Sequence, residues 1–192
     1  CSAANMHSAL TELTFSPAFL SSNNCLLLHE CASTIESLAV DTGRVADARS
    51  IFADSAGRPV MYPRLKSLRL FVEPEDPGLD CSRTSLPILL PRLTRLYIEG
   101  SYPFDDDVLF RSTSNTLEFV SVSLSMPLLA ILNKSNAFNK TSYPNMRLLA
   151  LVHDLNEANR VDHPKFISYA SRVAQSQVAL ELHAINYIND FV

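Results

Sequence analysis

"YPRLKSLRL" (Tyr62–Leu70) returns 28 residues later as "LPRLTRLYI" (Leu90–Ile98). Each copy sets an apolar residue before Pro and Arg, then places apolar side chains at relative positions 1, 4 and 6, counted from Leu65 or Leu93. The same apolar-x-x-apolar-x-apolar phrase occurs at Leu10-Leu13-Phe15, Ile35-Leu38-Val40, Leu117-Val120-Val122 and Met146-Leu149-Leu151. A weaker seventh copy lacks its first apolar site and ends in Leu180 and Leu182. From Leu13 to Leu180 the middle positions step by 25, 30, 28, 24, 29 and 31 residues. Recurrence at such a period marks a chain of stacked units.

The end of each phrase alternates apolar, polar, apolar, the period-two signature of a strand with one buried face. "LKSLRL", "LTRLYI" and "MRLLAL" are each expected to form one short strand. Strands separated by so many residues do not pair as hairpins. They lie side by side in a parallel sheet when each connection crosses back over one face, commonly as a helix.

Several connections read that way. "PFDDDVLFRSTS" sets Asp105, Asp106 and Asp107 ahead of Val108, Leu109 and Phe110, where a helix N-terminus favours negative charge. "SMPLLAILNKSNAF" offers Ser125 as N-cap, Pro127 in the first turn, and a stripe of Leu128, Leu129, Ile131 and Leu132. "DHPKFISYASRVAQS" repeats the device with Asp162 and Pro164, then Phe166, Ile167, Ala170 and Val173 at helical spacing. A helix also fits "SPAFLSSNNCLLLHECAS", with Ser21 to Asn24 as a break point. The stretch from Asp41 to Tyr62 contains Gly57-Arg58-Pro59, which confines a helix to about Val45 to Ala53. The Pro-rich stretch from Phe71 to Pro91 suits a helix only in its last turn. Loops 41–62 and 71–91 are expected to project, or to fold over the sheet.

Composition narrows the function classes. The 192 residues suffice for a single domain, 1–192, and 47 % hydrophobic against 19 % charged residues predicts a folded core. A net charge of −4 without a Lys/Arg run argues against nucleic acid as partner. No apolar stretch reaches the roughly 18–20 residues of a membrane helix, so no membrane partner is expected. With 4 Gly and no Gly-rich motif, a phosphate loop is not expected. Cys1, Cys25, Cys31 and Cys81 are irregularly spaced and read as reduced, mostly buried thiols. The sequons at Asn133 and Asn139 read as chance, since no signal peptide precedes them. Beginning at Cys1 without an initiator methionine suggests a piece of a longer chain.

L-x-x-L-x-L strands with connecting helices, at a period close to the roughly 20–29 residues of leucine-rich repeats, resemble that superfamily. Long connections make the chain most similar to its ribonuclease-inhibitor-like group. "PRLKSLRL", "PRLTRLYI" and "PNMRLLAL" are similar to the degenerate repeats of fungal F-box-type proteins. The fold this implies is an α/β solenoid of about 6–7 irregular repeats, with a parallel sheet on the concave face and helices and irregular loops on the convex face. Regular members carry Asn or Cys three residues beyond the end of the strand phrase; here those sites are Ala18, Gly43, Glu73, Ser101, Ser125 and Asp154. The side-chain ladder such residues make is therefore expected to be broken. No F-box-like segment is found, so one belonging to this protein would lie upstream of Cys1.

The side chains between the buried strand residues would face the concave surface. Arg69, Phe71, Arg95, Tyr97, Glu99, Phe119 and Ser121 occupy its centre, and aromatics with Arg dominate protein-interface energetics. The expected partner is a protein bound there. In the sharper form that the resemblance implies, the chain is the substrate-recognition part of a ubiquitin-ligase receptor, cytoplasmic or nuclear. The alternative to an interface is that loops cover Phe71 and Phe119. Beside them, Leu148, Ala150 and Val152 form a strip with no polar side chain, which something is expected to cover.

Catalytic readings are weaker. Cys25, His29 and Cys31 fall short of the four ligands of a zinc site. His153-Asp154 and Asp162-His163 come without a nucleophile elbow. Asp105 to Asp107 lack the alternation and Gly of a calcium loop. No catalytic residue, metal, cofactor or small-molecule substrate is expected. A structural segment of a larger scaffold is the alternative function, and a catalytic or GTPase-regulating solenoid a more remote one.

Overall fold

The computed structural model of the chain describes residues 10–15, 22–42, 50–72, 88–100, 102–104, 107–135, 138, 141–154, 163–175 and 178–185. Seven strands form one open parallel sheet whose spatial order is the chain order. They are β1 (Glu12–Phe15), β2 (Ser37–Thr42), β3 (Ser67–Val72), β4 (Arg95–Gly100), β5 (Phe119–Ser123), β6 (Leu148–Asp154) and β7 (Ala179–Ile185). The helices are α1 (Ser22–Cys31), α2 (Val108–Thr113), α3 (Met126–Ser135) and α4 (His163–Gln175). Among the described residues, no helix is long and apolar enough to cross a membrane.

The recurring phrase has a double explanation. In the copies that carry proline, Pro63, Pro91 and Pro144 sit just after the first residue of a tight turn. Those turns are closed by hydrogen bonds from Leu65 N–H to Tyr62 O (3.4 Å), Leu93 N–H to Leu90 O (3.3 Å) and Met146 N–H to Tyr143 O (3.1 Å). Proline's fixed φ suits the second position of such a turn. The turn delivers the first apolar residue of the triplet, and the strand delivers the other two. Where proline is missing, the C-terminal ends of α1 and α2 do the same work through bonds to Cys31 O and Thr113 O.

The middle residues of the triplets then meet in register: Leu13, Leu38, Leu68, Leu96, Val120, Leu149 and Leu180 are successive partners across the sheet. From Leu38 to Leu149 all are buried; Leu13 and Leu180 on the edge strands are half-buried. Below this row runs a backbone ladder. The carbonyls of Thr11, Glu36, Lys66, Thr94 and Glu118 each accept two N–H groups from the start of the next strand, at 2.8–3.1 Å. Side chains follow the same line: Glu36 pairs with Lys66 (2.7 Å) and Arg64 (3.1 Å). The hydrogen bond from Lys66, its charge, and then the Arg64 guanidinium hold the Glu36 carboxyl below its ordinary value.

The core lies between the sheet and the connections. In α3, Ser125 Oγ accepts the Leu128 N–H as N-cap, and Leu128, Leu129 and Leu132 are buried, as their spacing predicts. The Asn133 amide, a sequon nitrogen, donates to Leu129 O (3.1 Å), while its oxygen accepts from Arg172 of α4. In α4 the buried stripe differs from the expected one. Tyr169 is buried beside Phe166, Ala170 and Val173, whereas Ile167 is 62 % exposed. The stripe follows i, i+3, i+4, i+7 from Phe166, and Ile167 lies to one side of it. α1 begins at Ser22, within the expected break point, and residues 16–21 lie outside the described set. Asp162, Asp105 and Asp106 lie outside the described residues.

The segment before β3 also corrects the sequence reading. Residues 50–62 do not project. Ile51, Phe52 and Tyr62 are fully buried, and the Tyr62 hydroxyl donates to Ile51 O (2.7 Å). Ala53 bridges Pro59 across the Gly57 turn, so the helix expected up to Ala53 does not extend past Ser50. Leu89 bridges Met61 in parallel, so residues 88–90 are extended and not a helical turn. Residues 43–49 and 73–87 lie outside the described set.

A relay of rings fills the connection layer. Tyr62, Phe52, Phe104, Tyr102, Phe110, Phe138 and Tyr143 follow one another with centroids 4.9–6.4 Å apart. Edge-on and stacked pairs of this kind add about 0.5–1.5 kcal/mol each beyond area burial.

Leu96 is fully buried at the centre of the register row. Leu96→Asp places an unpaired charge there and is expected to abolish the cooperative thermal transition seen by circular dichroism. A fully folded product would mean that the buried face is wrongly assigned. A second expectation concerns pH. Because folding lowers the Glu36 pKa, its pairing contributes fully above the ordinary value of 4.5 and is lost as pH falls through the folded value. Glu36→Gln should flatten the stability profile below pH 4.5, read from urea midpoints.

Candidate functional site

The strand residues that miss the core decorate the other face of the sheet, where burial alternates with the buried row in β2 to β5. β3, β4 and β5 bring the seven nominated residues together. Arg69 and Arg95 are exposed, and Phe71, Tyr97, Glu99, Phe119 and Ser121 are half-buried. Register makes Arg69 the partner of Tyr97 and Phe71 the partner of Glu99; Arg95 faces Phe119, and Tyr97 faces Ser121.

Two diagonal contacts organise the patch. The Tyr97 and Phe119 rings lie 5.1 Å apart at 40°, a tilted pair reaching one step across adjacent strands. Arg69 Nη2 donates to Glu99 Oε1 at 2.6 Å, with both side chains in contact with solvent. Such a surface pair contributes at most about 1 kcal/mol, screened by solvent. Its role here is to orient two charges. Arg95, by contrast, has no ion pair with any described residue.

Towards β6 the face becomes apolar. Leu148 and Val152 are half-buried and Ala150 is buried, next to exposed Ala179 and Glu181 on β7. Towards β1 it becomes polar and concave. A cleft of about 290 Å³ lies there, lined by Thr14, Ala39, Asp41, Arg69, Phe71 and Glu99, with Phe15 and Val40 behind. The alternation of β2 places Asp41 on this face, outside the seven nominated residues. Its Oδ1 is buried and bonds to no described residue. The residue lies directly opposite Phe71, which in turn faces Glu99, two strands from Asp41.

Of the sites where the Asn or Cys ladder is expected to be broken, Ala18, Gly43, Glu73 and Ser101, and the side chain of Asp154, lie outside the described residues; a side-chain bond at a strand end is made next to one of them. Thr42 is fully buried and its hydroxyl donates to Phe71 O at 3.2 Å. Gly100 closes β4 with φ +80°, and a methyl group there would overlap the Val72 carbonyl oxygen.

The Cys25, His29 and Cys31 cluster lies in α1. Cys25 and Cys31 are buried thiols. Cys25 Sγ meets Ser50 Oγ at 3.3 Å, and His29 Nε2 lies 3.2 Å from Ser50 O. Burial, and then the nearby Glu30 carboxylate, raise the Cys31 pKa, which disfavours its thiolate. Among the described residues no three His, Cys, Asp or Glu side chains gather as a metal site. The side chains of His153, Asp154 and His163 are outside the described set.

No protein-family model matches the chain, and no curated protein or solved structure does so either.

The Tyr97–Phe119 contact sets a third expectation. A double-mutant cycle with Tyr97→Ala and Phe119→Ala, followed by urea unfolding, should return a coupling of about 0.5–1.5 kcal/mol. A coupling indistinguishable from zero would mean that the two rings do not meet in solution.

Proposed function

We propose that the chain is a leucine-rich-repeat solenoid of the ribonuclease-inhibitor-like kind, and that it is a non-enzymatic module binding a protein partner on the open face of its sheet. The observation that carries this reading is the patch on β3 to β5. There, exposed Arg95 stands beside the half-buried Tyr97–Phe119 pair, and Arg69 beside Phe71. Half-buried aromatics and arginines at the centre of a surface are the residues whose removal costs most at protein interfaces. The adjoining apolar strip of Leu148, Ala150 and Val152 extends the same face. The resemblance of "PRLKSLRL", "PRLTRLYI" and "PNMRLLAL" to the repeats of fungal F-box-type proteins supports the sharper form. In that form the partner is a substrate presented to a ubiquitin ligase in the cytoplasm or nucleus.

One observation favours a scaffold role as the second reading. Leu182 of edge strand β7 is 56 % exposed, whereas its register mates from Val40 to Leu151 are at most 2 % exposed. A further strand stacked on β7 would cover it.

The experiment is affinity capture from cell extract with the intact protein and with the Arg69→Glu, Arg95→Glu, Tyr97→Ala variant. All three side chains leave the core untouched, so the variant should keep its melting temperature within a few degrees. Specific partners should fall at least tenfold in recovery. Full retention of every partner by a folded variant would overturn the reading.

A further inference from the structure

We infer that the cleft between β1 and β4 is a subsite for a guanidinium group, so that the partner inserts an arginine side chain beside Asp41. This rests on the proposal that the open face binds a protein, and it specifies the chemistry of one contact.

Three observations converge. First, Asp41 lines the cleft and its carboxylate bonds to no described residue, one of its oxygens, Oδ1, being buried. A buried acceptor without a donor is rare in folded proteins and calls for one. Second, the charges lining the cleft do not cancel. Arg69 is engaged by Glu99 at 2.6 Å, which leaves the Asp41 carboxylate as the uncompensated charge. The missing group is therefore a cation with N–H donors. Third, Phe71 lines the cleft and is the cross-strand partner of Asp41. A flat cation donating to the carboxylate can lie on that ring, which suits guanidinium better than a compact, strongly hydrated ammonium.

Size agrees. About 290 Å³ lies just below the roughly 300 Å³ at which pockets for whole small molecules begin, and suits a single side chain. Thr14, an exposed lining residue, offers a hydroxyl for a remaining guanidinium N–H.

The test uses the isotope-labelled chain and three probes: N-acetyl-arginine methylamide, its uncharged citrulline counterpart, and N-acetyl-lysine methylamide. Binding is followed through the amide resonances of Asp41, Thr42, Phe71 and Glu99. The arginine probe should shift them saturably. Citrulline should bind at least tenfold more weakly, and lysine several-fold more weakly. Asp41→Asn keeps the shape of the side chain and should lower arginine affinity at least fivefold. Phe71→Leu keeps apolar bulk and should lower it about threefold, which provides an independent reading if Asp41→Asn alters the fold. No saturable shift with arginine, or equal binding of citrulline, would overturn the inference. So would unchanged affinity in both variants.

The two proposals fail separately. Arginine binding that disappears in Asp41→Asn supports the subsite even if the triple variant keeps all its partners, which defeats only the protein-interface reading. Absent arginine binding with partners lost from the triple variant defeats the subsite alone.

Discussion

The paired acceptance of two N–H groups by one carbonyl, repeated at Thr11, Glu36, Lys66, Thr94 and Glu118, is the constraint on which the rest of the molecule depends. It fixes where each strand begins relative to the one before. In a structure of period two, a slip of one residue would exchange the two faces of a strand. With the starts pinned, Leu38, Leu68, Leu96, Val120 and Leu149 fall in one row and point into one core. The opposite face receives whatever lies between them. Its Arg, Tyr and Phe residues are thus displayed by a backbone rule that does not depend on their identity.

The aromatic residues divide according to this rule. In the connections, Phe52, Phe110 and Phe138 are fully buried and join one continuous relay with half-buried Tyr102 and Phe104. Phe71, Tyr97 and Phe119 sit on strands at outward positions and remain half-buried. Burial explains Phe52, Phe110 and Phe138 completely. The second group retains surface that the fold itself does not use, which is why the candidate site is drawn there.

All seven strands were legible in the sequence, because alternation in a strand and a triplet anchored by proline are local signals. The Ser125 cap and the apolar stripe of α3 were legible for the same reason. Three features were not. Ile167 and Tyr169 flank the same helical face, and which of them is buried depends on what packs against α4. Ile51, Phe52 and Tyr62 belong to a segment without periodicity, so their burial reflects the space left by a short connection. The buried oxygen of Asp41 is a property of its surroundings; alternation could place the residue on the open face but could not say that no donor would meet it.

The coincidence of spatial and chain order in the sheet has an evolutionary corollary. Each strand bonds only to the strands immediately before and after it in the sequence. Duplicating or deleting one strand with its connection would therefore require no rethreading of the chain, provided the new junction restored a carbonyl ladder and an inward triplet. The irregular lengths of the connections, from 24 to 31 residues between middle positions, are tolerated on the same grounds. A lineage could thus lengthen or trim its recognition surface through genetic duplication and loss while leaving the remaining strands in place.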